Sequence, residues 1–158
     1  MLFPYFERLE DVWPNVPFHD SVWITPILGS IHLLALVAFS AAILVVDLRL
    51  LGRGLRGTTL ASLSGTAEPW LIGSFLVLVA SGGLQVMATP LKVYYSPFFW
   101  WKMQAVAIGI VLTCTVRRRL ANQPDDVLDP VWRRIVGLTS LALWTSAMIG
   151  ARWIGLMG

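Results

Sequence analysis

Four polar side chains interrupt otherwise apolar stretches of this sequence, and their chemistry suits the binding of an iron cofactor. His32 stands in "GSIHLLALVAFS", Gln85 in "SGGLQVM", Lys102 in "FFWWKMQA" and Arg152 in "IGARWIG". Neutral imidazole is a good ligand for haem iron, and lysine and arginine form strong hydrogen bonds with carboxylates. The four residues therefore predict a haem b with His32 as axial ligand, Lys102 and Arg152 on the propionates and Gln85 in the same pocket.

The second axial ligand of such an iron is not evident from the sequence. Met87, Met103 and Met148 are thioethers at suitable depth, whereas the chain's other histidine, His19, stands in the segment before the first apolar stretch. We expect five-coordinate iron or a His/Met pair rather than two histidines, and for each methionine simple packing is the competing interpretation. Trp101 is expected to form a wall of the pocket.

Two other classes of function use the same residues. His32 can be a hydrogen-bonded core histidine, and then the four polar side chains form a buried network in a cofactor-free membrane interaction or assembly subunit. Alternatively, His32 and the methionines are soft ligands of a copper-handling membrane protein. Measuring bound iron and copper together would separate the three hypotheses.

The composition is that of an integral membrane protein. The 158 residues are 56% hydrophobic and 13% charged, with one cysteine and a formal net charge of +3, and the mean hydropathy is +0.70. The basic residues flank apolar stretches, where membrane topology explains them, so we expect no binding to nucleic acid. The single cysteine, Cys114, excludes a CxxCH site for covalent haem.

Four apolar segments have the length of a membrane-spanning helix, and they predict an all-α antiparallel bundle in one membrane domain. The predicted spans are 23–47, 70–90, 97–116 and 134–157. The segment 1–22 is acidic and amphipathic, which predicts a short helix lying in the membrane interface rather than a cleaved signal peptide.

Arginines follow the first span and surround the connection between the third and fourth, which indicates the cytoplasmic side. We therefore expect a multi-pass protein of the bacterial inner membrane with both termini on the outer, periplasmic side. Partners beyond the lipid bilayer would be a redox subunit or further copies of the chain, since small residues on the fourth span allow close packing. Asp47 is expected to pair locally with Arg49 at the end of the first span.

The segments "SVWITPILGSIHLLALVAFSAAILVVDLRLLG", "PWLIGSFLVLVASGGLQ", "YYSPFFWWKMQAVAIG" and "LTSLALWTSAMIGARWIG" carry a resemblance that covers nearly the whole chain. Together they resemble an uncharacterised family of bacterial four-helix inner-membrane proteins. More distantly, the histidine of the first span and the opening of the third are similar to the copper-resistance D-like proteins and to the HemJ-type protoporphyrinogen oxidases. The HemJ-type proteins bind haem b, which implies that His32 could do so. Their "WLHAKL" pattern is "WWKMQA" here, without a histidine beside Lys102.

Overall fold

The described part of the chain is helical throughout. The computed structural model describes residues 3–10, 22–54, 57–121, 123 and 129–156, with the side chains of 10, 121, 152 and 154–156 excepted, and no strand occurs in these residues. The helices are α1 (Phe3–Glu10), α2 (Ile24–Leu50), α3 (Leu60–Ala88), α4 (Pro90–Tyr95), α5 (Pro97–Leu112), a π-helical turn (Thr113–Arg117), α6 (Arg118–Ala121) and α7 (Pro130–Leu156).

The helix boundaries follow from local chemistry. Three helices begin at a proline, Pro90, Pro97 and Pro130, because proline presets the helical φ and its missing N–H is not needed in a first turn. At the end of α2, Gly52 has a φ of 70°. Its N–H donates to the Arg49 carbonyl and the next N–H, of Arg53, to the Leu48 carbonyl. This is a Schellman motif, which requires a left-handed residue at the position of Gly52.

The second long helix begins ten residues earlier than the predicted span 70–90. The Thr59 side chain accepts a hydrogen bond from the Ser62 N–H at 3.2 Å, and this cap starts the helix at Leu60. Pro69 lies inside α3 rather than at its beginning. A proline there removes one backbone hydrogen bond, to the carbonyl four residues earlier, and the rest of the helix continues around it.

Four stretches are long and apolar enough to cross a membrane, and they form an all-α bundle. They are Ile24–Leu50, Leu60–Ala88, Pro97–Leu120 and Pro130–Ala151. α2 packs most extensively against α3, and α5 packs against α7. Contacts between α2 and α7 join the two pairs, so α2 and α7 form the centre of the bundle. The predicted fold class is confirmed.

Two apolar clusters occupy successive levels of the bundle. The first joins the end of α2, the start of α3, α6 and the start of α7 through Val46, Leu50, Leu60, Leu120 and Val136. We call this end, where the arginines of the first and third connections gather, the basic end. The second cluster is centred on Phe39, Ile43 and Trp144. A β-carbon at Gly109 would lie 2.9 Å from Trp144 Cζ2, so the indole packs directly on the backbone of α5.

The short helix α1 packs on α4 at the opposite end of the bundle. The ring centroids of Phe3 and Tyr94 are 5.7 Å apart, and those of Phe6 and Tyr94 are 5.1 Å apart. The Trp100 indole N–H donates to the Tyr94 carbonyl at 3.0 Å. The predicted amino-terminal helix is therefore present, and aromatic contacts attach it to the connection between the second and third spans.

Candidate functional site

His32 lies in the half of the bundle away from the basic end, about 12 Å along α2 at 1.5 Å per residue. Its ring fits against two small residues of α3, Ser81 and Gly82. A β-carbon at Gly82 would lie 3.3 Å from His32 Cε1, which is tight for two carbons. The imidazole thus occupies space that exists because Gly82 has no side chain.

The hydrogen bonds of Ser81 fix the tautomer of His32. The Ser81 hydroxyl donates its one proton to the Val77 carbonyl at 2.6 Å, and His32 Nδ1 lies 2.8 Å from Ser81 Oγ. Because the hydroxyl proton is already used, Ser81 must accept from an N–H on Nδ1. A neutral His32 then carries its lone pair on Nε2, and no hydrogen bond to Nε2 is made within the described residues. Histidines that bind metals use this arrangement: one nitrogen donates to the protein and the other faces the metal.

Gln85 and Lys102 contribute two further polar groups to this half of the bundle. Gln85 follows Ser81 by one helical turn, and its buried Nε2 has no hydrogen-bond partner among the residues that the structure describes. Lys102, on α5, is close enough to act electrostatically on His32, and none of the ion pairs among the described side chains involves it. Residues from three helices therefore lie at this level of the bundle. We call His32, Ser81, Gln85 and Lys102 the histidine site.

Trp101 lies on the surface of the bundle instead of between helices. Its side chain is 60% exposed, and its Cδ1 atom lies 3.6 Å from a β-carbon built at Gly150. The same glycine faces the β-carbon of Lys102 at 3.7 Å. A β-carbon at position 150 would thus make only ordinary contacts with α5 beside the histidine site, while the Trp101 ring faces the surroundings of the bundle.

The methionines occupy three different environments. Met103 is 45% exposed, and Met87 is half-buried on α3. Met148 faces the interior, where its sulfur lies 3.1 Å from the Ser40 hydroxyl oxygen, whose proton is donated to the Leu36 carbonyl at 2.6 Å. Ser40 follows His32 by two turns of α2, about 12 Å along the helix axis. Two ligands of one metal lie within about 5 Å of each other, so in this packing Met148 and His32 do not reach the same ion.

Two predicted positions lie outside the described side chains. Arg152 belongs to α7, but its side chain is among those excepted above, and His19 lies in the stretch between α1 and α2 that the structure does not describe. The pairing of Arg152 with a propionate stays a prediction.

The structure adds a charged pair at the basic end that sequence reasoning assigned differently. Asp47 is 0% exposed and Arg117 is 5% exposed, and Arg117 Nε lies 3.8 Å from Asp47 Oδ1. Arg49 instead donates from Nε to the Thr58 carbonyl at 2.9 Å. The expected local pair of Asp47 with Arg49 is thus replaced by a pair across helices. The sequence signal for the pair across helices was the presence of opposite charges at equal depth on two spans.

Comparisons with known proteins give one family and no function. No curated protein matches the chain, and no solved structure matches it. The resemblance to copper-resistance D-like and HemJ-type proteins therefore gains no support beyond the motifs themselves. Residues 20–157 match the family of unknown function DUF6644, which covers all four spans, and the chain belongs to that family.

Proposed function

We propose that the protein binds haem b within the membrane, with His32 Nε2 as the axial ligand. One observation carries the proposal: Ser81 accepts from Nδ1–H and so leaves the Nε2 lone pair for a metal. A histidine that served packing alone would not need one nitrogen fixed and the other without a partner.

The other residues of the histidine site fit the periphery of such a cofactor. Lys102 supplies a cation without an ion-pair partner among the described residues, which suits a propionate. The buried Gln85 Nε2 supplies an N–H donor for an oxygen of the same ligand. When bound, haem b provides reversible one-electron chemistry. The chain would orient it through His32 and balance its charge, so electron transfer to a redox partner is the function that we propose.

A spectrum of the purified protein tests this proposal. We expect the reduced-minus-oxidised difference spectrum to show a b-type haem, and the pyridine haemochrome assay to give one haem per chain. His32→Ala should abolish the absorbance, and the chain's second histidine gives the matched control, because His19→Ala should retain it. A colourless protein from haem-sufficient cells, with normal elution in size-exclusion chromatography, would refute haem binding.

A cofactor-free interaction subunit is the second candidate, and the Gln85 amide favours it. A buried N–H without a partner is costly inside a membrane, and a carbonyl of another membrane protein could also satisfy it. This candidate predicts a colourless protein in which His32→Gln leaves folding unchanged.

Copper handling is the third candidate. Measuring bound iron and bound copper together by mass spectrometry distinguishes it from haem binding and from a cofactor-free subunit. Within the described residues, no group of three His, Cys, Asp or Glu side chains could hold a metal ion.

The arginines at the basic end support a cytoplasmic location of that end, because short loops rich in lysine and arginine stay inside. Both termini would then lie outside the bacterial inner membrane. An alkaline phosphatase reporter fused to the carboxyl terminus should be active, and the same reporter inserted at Arg53 should be inactive. The reverse pattern would refute this orientation.

A further inference from the structure

The carboxylate of Asp47 lies in the membrane-spanning part of the bundle without a hydrogen bond. Its two oxygens are buried and have no hydrogen-bond partner among the described residues, and its ion pair with Arg117 has a separation of 3.8 Å. The Ser140 hydroxyl is near enough to act on the carboxylate, but it does not reach hydrogen-bonding geometry. Inside a membrane a charged oxygen is rarely left in this condition.

Several neighbouring groups share this lack of partners, and they come from different helices. Arg117 Nη2 donates to the Ile43 carbonyl at 3.4 Å, but within the described part of the chain Arg117 Nη1 has no partner, and neither have the hydroxyls of Ser140 and Thr113. Ser140 is 0% exposed. Both hydrogen-bond donors and acceptors therefore face one region between α2, the π-helical turn and α7. A molecule that both donates and accepts, as water does, would satisfy them.

The unpartnered groups continue along α7 toward the basic end. Arg133 Nε is also buried and has no partner in the described ranges of the chain, while its Nη2 donates to the Arg49 carbonyl at 3.4 Å. Arg133 precedes Ser140 by seven residues, about 10 Å along the helix. Polar atoms thus extend from the first turn of α7 to the level of Asp47.

An aromatic layer lies beyond Ser140. Trp144 is one turn further along α7, and its ring meets that of Phe39 edge-on with centroids 4.7 Å apart. On its other side the indole packs on Gly109. The polar region therefore ends at close-packed rings at the middle of the bundle, where Trp144 Nε1 is also buried without a hydrogen-bond partner among the described residues.

We propose that Asp47, Arg117 and Ser140 form an internal water-binding site that is entered from the basic end and closed by the Phe39–Trp144 layer. Water there gives each unpartnered atom a hydrogen bond and connects the Asp47 carboxylate to the aqueous phase at that end. The proposal is independent of haem binding, since the histidine site lies on the other side of the aromatic layer.

Thiol accessibility tests this site. In a Cys114→Ala background, single cysteines replace Ser140 inside the proposed site and Ala147, which is also buried on the same helix (5% exposed, against 0% for Ser140) but lies beyond Trp144. The probe is Ag⁺, an ion of nearly water size, added to membrane vesicles before the remaining thiols are counted with a maleimide mass tag. We expect Ser140→Cys to be blocked at least tenfold faster than Ala147→Cys. Equal rates for the two would overturn the proposal.

A second variant keeps the test decisive if Ser140→Cys fails to fold. Thr113→Cys places the thiol on the opposite wall of the same region, where Thr113 Oγ1 is buried and no described residue partners it. It should also react at least tenfold faster than Ala147→Cys. Unreactive Thr113→Cys in a folded protein would overturn the proposal in the same way. Inverted vesicles should react faster than right-side-out vesicles if the basic end is cytoplasmic.

Discussion

Replacing Gly109 with alanine should force the central aromatic layer apart. The new β-carbon would lie 2.9 Å from Trp144 Cζ2 and 3.0 Å from Cε2, whereas carbons in contact are normally about 3.5–4.0 Å apart. The indole would have to retreat by about 0.6 Å or more. Trp144 is only 7% exposed and its other face is held by Phe39, so the retreat is resisted. Overpacking of this kind costs about 1–3 kcal/mol.

Gly83 gives the matched control, because it is also a glycine within a membrane-spanning helix. A β-carbon at Gly83 meets nothing within 4 Å. Both substitutions gain the same backbone advantage of alanine over glycine, about 0.5–1 kcal/mol, so the difference between the variants isolates the contact with Trp144. The assay is the free energy of unfolding from titration with SDS in mixed micelles, followed by circular dichroism. Gly109→Ala should be less stable than Gly83→Ala by about 1–3 kcal/mol, and equal stabilities would refute the packing of Trp144 on Gly109.

Three further predictions concern the two polar sites. Gly82→Ala should displace the His32 ring, since the new β-carbon would lie 3.3 Å from Cε1. The purified variant should therefore hold less haem per chain than the Gly83→Ala control. Equal haem occupancy in the two variants would contradict His32 as the ligand. Ser81→Ala removes the acceptor that orients the imidazole, so titration of the haem-free protein should show an affinity lower by about 10–100-fold; an unchanged affinity would contradict that role. Asp47→Asn and Arg117→Gln each leave a buried charge without its partner and should cost about 3–5 kcal/mol in the SDS titration; the double variant should recover much of this, whereas strictly additive losses would contradict the pair.

Hydropathy and depth were sufficient to predict the bundle and the level of His32, Gln85 and Lys102. Both properties depend on residue type and on the fixed rise of a helix, so they can be read from a single sequence. The contact of His32 with Ser81 depends on how α2 and α3 are rotated against each other. Small residues on one face of α3 were compatible with several rotations, and the spacing alone did not select one.

The basic end was harder to predict, because several arginines compete there for few carboxylates. Arg49 is the nearest to Asp47 in sequence, which made a local pair the simplest expectation. In the structure the Arg49 side chain donates a hydrogen bond to the Thr58 carbonyl, and Asp47 forms its ion pair with Arg117 instead. Such a choice depends on the path of the connection after α2, which hydrophobic periodicity does not describe.

The π-helical turn Thr113–Arg117 gives the ion pair an unusual dependence on chain length. A π-helix closes each hydrogen-bonded turn with one residue more than an α-helix does. Arg117 is the last residue of that wider turn and the only one of its five residues that is buried. If these five residues wound as an ordinary α-helix, Arg117 would rotate by about 100° around the helix axis and its guanidinium would turn away from Asp47. Deleting one exposed residue of the turn, Thr115, would instead remove the extra residue and leave Arg117 on nearly the same side of the helix. The wider turn therefore lets this span carry one additional residue while Arg117 still reaches Asp47, so the ion pair depends on the winding of the turn as well as on its two partners.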